Sequence, residues 1–215
     1  MKSRIAPMLL LLASSLGGSG CVLYGATTGW RGTGVEGVLE LPERAPSDAA
    51  GPFVIYLERG DAPAGPADDS GGAEVRHDGE GFRPALVVAR AGSGLTILNQ
   101  SGVHHRLFWF ASGQRHAVAL LPEPGAESRL ELDDPGVARI YCELHPDEHF
   151  TAFAVPTALY TVVEEPGHFG IDSVPPGSWR LHVWSEDFEP GIQEIEVEAF
   201  ETRFHPVPLQ GRAKP

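Results

Sequence analysis

The chain has 215 residues, 26 of them Gly and 19 Pro, with 42% hydrophobic residues. Gly and Pro make up about a fifth of the chain, which interrupts helices too often for a helical bundle and suits short strands joined by turns. Sixteen basic against 29 acidic residues give a net charge of −13, which argues against nucleic acid as a partner. Two Cys are too few for a disulfide framework.

Residues 1–20 have the pattern of an export signal. Lys2 and Arg4 precede a mostly apolar run from Ile5 to Leu16, followed by Gly17, Gly18, Ser19, Gly20 and Cys21. The run is too short to span a bilayer comfortably. A Cys directly after small residues resembles the lipobox of bacterial lipoproteins, although Gly18 stands three before Cys21, where that motif usually has Leu. The resemblance implies an acylated Cys21, a lipid anchor and a periplasmic or outer-membrane-associated location in a bacterium. The alternative is ordinary cleavage nearby and release. Loss of residues 1–20 removes two bases, no acid and both methionines, Met1 and Met8. With Cys21 acylated, Cys142 is the one free thiol, and a single unpaired Cys in an oxidising compartment calls for an explanation.

Beyond a tether at 21–32, strand-like stretches run in order: Val35–Leu41, Phe53–Leu57, Leu86–Ala89, Leu95–Leu98, His105–Phe110, Leu130–Leu132, Val137–Tyr141, Phe150–Val155, Tyr160–Val163, 168–172, 179–184 and 193–199. Residues 60–81, rich in Gly, Asp, Ala and Pro, are expected as one long loop. Strands at this spacing predict an all-β sandwich or barrel, with a seam near Pro156.

The chemistry concentrates in two segments, Asn99-Gln100-Ser101-Gly102-Val103-His104-His105-Arg106 and Tyr141-Cys142-Glu143-Leu144-His145-Pro146-Asp147-Glu148-His149. A thiolate and an imidazole three residues apart, just past a strand end, can bend onto one ion, and an imidazole from a distant strand would complete a His2Cys site of the kind that suits electron-transfer copper. Strand alternation puts His105, Leu107 and Trp109 on one face and His104 and Arg106 on the other, so one of His104 and His105 enters the site. Ala138, Ile140 and Cys142 share the face expected to point inward.

These segments resemble the cupredoxins, the plastocyanin and azurin type of small copper proteins. Asn99 with five residues before His105 is similar to that family's Asn-x5-His segment, and Tyr141, Cys142 and His145 are similar to its Tyr-Cys-x2-His loop. Residues from Phe82-Arg83-Pro84 through Leu98 are similar to the strand pair that precedes the first ligand. The likeness is greatest to bacterial exported proteins of the methylamine-utilisation-like type. It implies a cupredoxin-like Greek-key β-sandwich over 33–156, one copper ion (zinc being the other candidate), and His105, Cys142 and His145 as metal ligands. Residues 157–215 resemble a carboxypeptidase regulatory-like, transthyretin-like β-sandwich segment, carried by Gly167–Asp172, Val174-Pro175-Pro176-Gly177 and Trp179–Trp184. That resemblance implies no chemistry, and leaves His168 and His182 as strand-face residues. His77, His116 and His205 lie in polar contexts and are expected at the surface.

Three departures bear on the site. The axial Met of the family is replaced by Glu148, with His149 as the alternative fourth ligand. Either would favour Cu(II) and lower the potential relative to a thioether. Arg106 stands where the family has a bracing Asn, and His104 and His149 are additional imidazoles. The expected function is copper-binding electron transfer in the bacterial cell envelope, not catalysis. The acidic surface would suit a basic, cytochrome-like partner. The alternatives are a non-redox copper or zinc binder and a metal-free structural or adhesive envelope protein. Cys142 and His145 also have the residue types of a thiol nucleophile and its base, but their spacing at a strand end suits shared ligation better.

Overall fold

The computed structural model describes residues 33–43, 51–60, 73–111, 113–199 and 201–212. The expected signal segment, the tether and Cys21 lie outside the described residues. Every regular element among them is a strand. In chain order these are β1 (Gly34–Glu40), β2 (Phe53–Glu58), β3 (Ala73–His77), β4 (Phe82–Arg83), β5 (Leu86–Arg90), β6 (Ser93–Asn99), β7 (His105–Ala111) and β8 (Gln114–Leu121). There follow β9 (Glu127–Leu132), β10 (Gly136–Cys142), β11 (His149–Val155), β12 (Tyr160–Val163), β13 (His168–Asp172), β14 (Gly177–Trp184), β15 (Gly191–Val197) and β16 (Thr202–Pro208).

The strands form two sandwiches. In the first, the sheet β5-β11-β10-β7-β8 faces the sheet β4-β3-β6-β9, across a core that includes Val75, Leu95, Ile97, Leu107, Ile140 and Phe150. In the second, β13-β1-β16 faces β12-β2-β14-β15, across a core that includes Val35, Phe53, Leu57, Phe169, Leu181 and Phe188. The all-β class follows from the period-2 burial of strands such as β13 and β14, in which every second side chain is inside.

The expected domain division is corrected at its N-terminal side. β1 and β2, assigned above to the 33–156 domain, belong to the second sandwich: β1 lies between β13 and β16, and β2 lies between β12 and β14. The first sandwich therefore occupies 73–155. Gly37 marks how closely β1 is enclosed, since a Cβ there would collide with the His205 carbonyl and the Phe169 ring.

β11 joins the two bodies. It is buried on both faces after His149, which explains a run that is apolar at every position except Thr151 where a half-buried strand would alternate. Phe150, Ala152 and Ala154 enter the first core. Phe153 and Val155 pack with Val54, Tyr56 and Trp184 of the second sandwich. The Phe153 ring lies 4.8 Å from that of Trp184 and 6.1 Å from that of Tyr56.

The loop expected over 60–81 is also corrected. Residues 73–77 form β3, which runs parallel to β6 and places His77 opposite Asn99. Its pattern is Val75 and His77 inside, Glu74 and Arg76 outside. Two apolar residues, Ala73 and Val75, alternating with charges give a weak strand signal. The pairing with β6 supplies what local propensity does not.

Candidate metal centre

β7 and β10 are antiparallel neighbours, with Cys142 opposite Leu107. That register brings the start of β7, where His105 sits, beside the end of β10, where Cys142 sits. The segment after Cys142 then turns back on itself. The Glu143 N–H donates to the Arg106 carbonyl at 2.8 Å, the Glu148 N–H to the His145 carbonyl at 3.0 Å, and the Cys142 N–H to the Glu148 carbonyl at 3.1 Å. Backbone bonds thus fix the loop that carries His145 and Glu148. Arg106 braces it through its main chain, and its guanidinium lies 3.8 Å from the Glu143 carboxylate, which also pairs with Arg115.

Four side chains converge. The sulfur of Cys142 is 3.7 Å from His105 Nδ1 and 3.5 Å from His145 Nδ1. Glu148 Oε2 is 3.2 Å from His105 Nδ1 and 3.3 Å from His145 Nδ1. One donor atom from each of the four residues lies within 4.8 Å of all the others. His104 and His149 are exposed and outside this group. The His149 ring stacks on Tyr141 at 5.8 Å.

The tautomer of His105 follows from its surroundings. The Asn99 amide nitrogen donates to the carbonyls of Val103 and Leu121, at 2.9 and 3.3 Å, so its oxygen faces Ser101. That oxygen accepts from the Ser101 N–H at 2.9 Å and lies 2.7 Å from the Ser101 hydroxyl. The other oxygen near the hydroxyl, the Val103 carbonyl at 3.2 Å, is also an acceptor. The hydroxyl proton is therefore spent on an acceptor, and His105 Nε2, 2.8 Å from Ser101 Oγ, must donate. His105 Nδ1 is left with a lone pair aimed at Cys142 and Glu148. Burial, reinforced by the neighbouring His77, lowers the His105 pKa against the opposing pull of Glu148. That favours the neutral ring.

A lone pair on His105 Nδ1 beside a carboxylate oxygen is an arrangement that calls for a cation between them. Glu148 Oε2 is buried and has no hydrogen-bond donor. Ligand atoms held about 2.0–2.3 Å from a four-coordinate ion lie about 3.3–3.8 Å from one another, and the four measured separations, 3.2 to 3.7 Å, fall in or next to that range. Two imidazoles, a thiol and a carboxylate are the donors that copper and zinc accept. The residues present fit such an ion.

His77, expected at the surface, is 1% exposed. Its Nε2 lies 3.1 Å from Glu148 Oε1 and its ring centroid 4.0 Å from that of His105. Ser101, not singled out from the sequence, is the partner that sets the His105 tautomer. His116 stacks on Trp109, with ring centroids 5.6 Å apart, and takes no part in the group. His168 is exposed, while His182 and His205 are partly buried in the second sandwich.

No family model and no curated protein matches the chain. Among solved structures, a purple cupredoxin from Nitrosopumilus maritimus matches at 17% identity, over 38% of this chain and 98% of its own, with a TM-score of 0.33. A reduced amicyanin variant matches at 13% identity, over 46% and 98%, with a TM-score of 0.36. Another amicyanin variant, in its Cu(I) form, matches at 16% identity, over 46% and 97%, with a TM-score of 0.35. At such identities and scores the likeness supports no reading of the site, and the architecture above stands on the chain's own strand pairing.

Proposed function

We propose that the chain is an exported copper-binding electron-transfer protein of the bacterial cell envelope, with His105, Cys142, His145 and Glu148 as metal ligands. The observation that carries this reading is the convergence of the Cys142 sulfur, two Nδ1 atoms and a donor-less carboxylate oxygen on one point. Copper bound there would supply a one-electron change between Cu(I) and Cu(II). Cys142 supplies the soft donor that suits Cu(I), and Glu148 supplies an oxygen that suits Cu(II).

The chain's own part is to hold these donors still. Ser101 and Asn99 orient His105. The backbone bonds of the 142–148 turn hold His145 and Glu148. The packed core behind Leu107 and Ile140 keeps water from Cys142, which is 2% exposed. A rigid donor set lets the ion change charge with little rearrangement. The His145 side chain is 34% exposed, so its ring is the route from the buried site to a partner. In this reading lipid at Cys21 ties the protein to a membrane, and the acidic surface attracts a basic redox partner. The second reading, non-redox copper or zinc binding, is favoured by Glu148, because nitrogen, sulfur and carboxylate oxygen together also suit zinc.

The test is Cu(II) titration of the purified protein, followed by visible absorption and electrochemistry. One ion per chain, an intense thiolate-to-copper band that disappears in Cys142→Ser, and a reversible one-electron wave are expected. Tight zinc binding without a reversible copper wave would select the second reading. Absence of copper uptake, or uptake unchanged in Cys142→Ser, would overturn the first.

A further inference from the structure

His77 is the one fully enclosed imidazole near the centre that does not belong to the four-residue group. Its ring lies against that of His105 at a tilt of 36° and edge-on to Phe82 with centroids 4.7 Å apart. The main chain fixes it as well: the Gln100 N–H donates to the His77 carbonyl at 2.8 Å. The Gly79 N–H donates to His77 Nδ1 at 3.2 Å. Nδ1 is thereby an acceptor, and the ring proton is on Nε2. That N–H faces Glu148 Oε1 at 3.1 Å, close enough to attract the carboxylate, though not aligned as a full hydrogen bond. With its lone pair committed on one side and a proton on the other, His77 has no free electron pair for a metal.

We propose that His77 is a positioning residue: it holds one oxygen of Glu148 so that the other is presented to the ion alongside His105, Cys142 and His145. The inference rests on the metal reading above and adds a residue that none of the motifs contains. Its physical basis is the flexibility of Glu. A carboxylate on a turn has several rotamers, and ordering it costs side-chain entropy. Attraction from a buried, rigid N–H on the far oxygen narrows that freedom before the ion arrives. An outer partner of this kind is worth roughly 10- to 100-fold in metal affinity.

The test uses Cu(II) and Co(II) as probes on the full purified protein and on His77→Phe, His77→Gln, Glu148→Gln and the double variant His77→Phe/Glu148→Gln. Affinity by competition, the absorption spectrum of the bound ion and the copper reduction potential are read together. His77→Phe is expected to weaken Cu(II) binding about tenfold or more, to raise the reduction potential and to move the Co(II) spectrum as Glu148→Gln does. The double variant should be no worse than Glu148→Gln alone, because the two residues act through one ligand. His77→Gln, which keeps a side-chain N–H, should recover most of the affinity.

If His77→Phe keeps the parent spectrum and affinity while Glu148→Gln alters both, the inference is overturned and the metal reading stands. If Glu148→Gln is also silent, Glu148 is no ligand and the inference falls, while the thiolate band still reports on the copper reading. A protein that binds neither probe removes both. Nitrogen NMR of the histidine rings in the unsubstituted protein needs no variant. His77 should keep its Nε2–H tautomer with and without metal, and a His77 nitrogen bound to the ion would overturn the inference.

Discussion

The two sandwiches are built from the same kind of strand but bury different things. The second has an apolar core, from Val35 and Phe53 through Phe188 to Leu209, and Ser185 is its one fully buried polar residue among those described. The first buries His77, Asn99, Ser101 and His105 together at one end, with the Cys142 thiol and an oxygen of Glu148 beside them. Burying polar groups costs stability unless each finds a partner. In the second sandwich the buried imidazole nitrogens without a hydrogen-bond partner, Nε2 of His182 and of His205, sit singly on β14 and β16. The first sandwich instead gathers its buried polar groups at one end, the arrangement on which the proposed metal site rests.

The difference can be broken most directly with metal. At an ion concentration about a thousandfold above the dissociation constant, binding to the native state adds about 4 kcal/mol. Hydrogen exchange should show that gain in β7, β10 and the 143–148 turn and leave β14 and β15 unchanged, and a chelator should reverse it. An equal rise in both bodies, or none in the first, would erase the distinction. A smaller effect sharpens it. Ser101→Ala removes the acceptor of the buried His105 Nε2–H and should cost about 1–3 kcal/mol, read as a lower denaturant midpoint, together with weaker Cu(II) binding. Ser185→Ala in the other body should cost less than about 0.5 kcal/mol, because the Ser185 hydroxyl receives only the Asp187 N–H at 3.5 Å, the outer limit of a hydrogen bond. Equal costs would mean that Ser101 is no more than a buried hydroxyl.

The polar end was partly legible in the amino-acid sequence, and the reason lies in distance along the chain. Cys142, His145 and Glu148 fall within one turn, so their spacing alone brings them near one another, and alternation on β7 separates His105 from His104. His77 comes from a short strand whose apolar residues are only Ala73 and Val75, held in place by pairing with β4 and β6. The signal available was Ala73 and Val75, four and two residues before it, which by alternation would have placed His77 on an inward face. The all-β class followed from turn residues and short apolar runs. The membership of β1 and β2 did not, because their partners β13, β14 and β16 lie more than a hundred residues away, and strand pairing at that separation leaves no local trace.

The smallest expected effect concerns the histidines of the second sandwich, which have no ligand role in this account. His182 stacks on Tyr56 with ring centroids 4.7 Å apart and lies 3.1 Å from the Glu58 carboxylate. Burial nonetheless pushes its pKa below the usual value near 6.5, with Glu58 opposing. Burial also lowers His205, helped by Arg203. The unfolded chain therefore takes up protons at these positions more readily than the fold does. Their contribution to stability is intact above about pH 6.5 and is lost as the pH falls through the lower folded values. Thermal unfolding between about pH 8 and pH 5 should show a declining melting temperature, and His182→Gln and His205→Gln should each flatten the decline. His105 is shifted in the same direction in the first sandwich, so the wild-type slope is shared and single-site variants are needed to divide it. Neither glutamine variant should alter Cu(II) affinity. A steeper decline in either would reverse the sign of the burial effect, and a loss of copper binding would show that the second sandwich is not a bystander to the site.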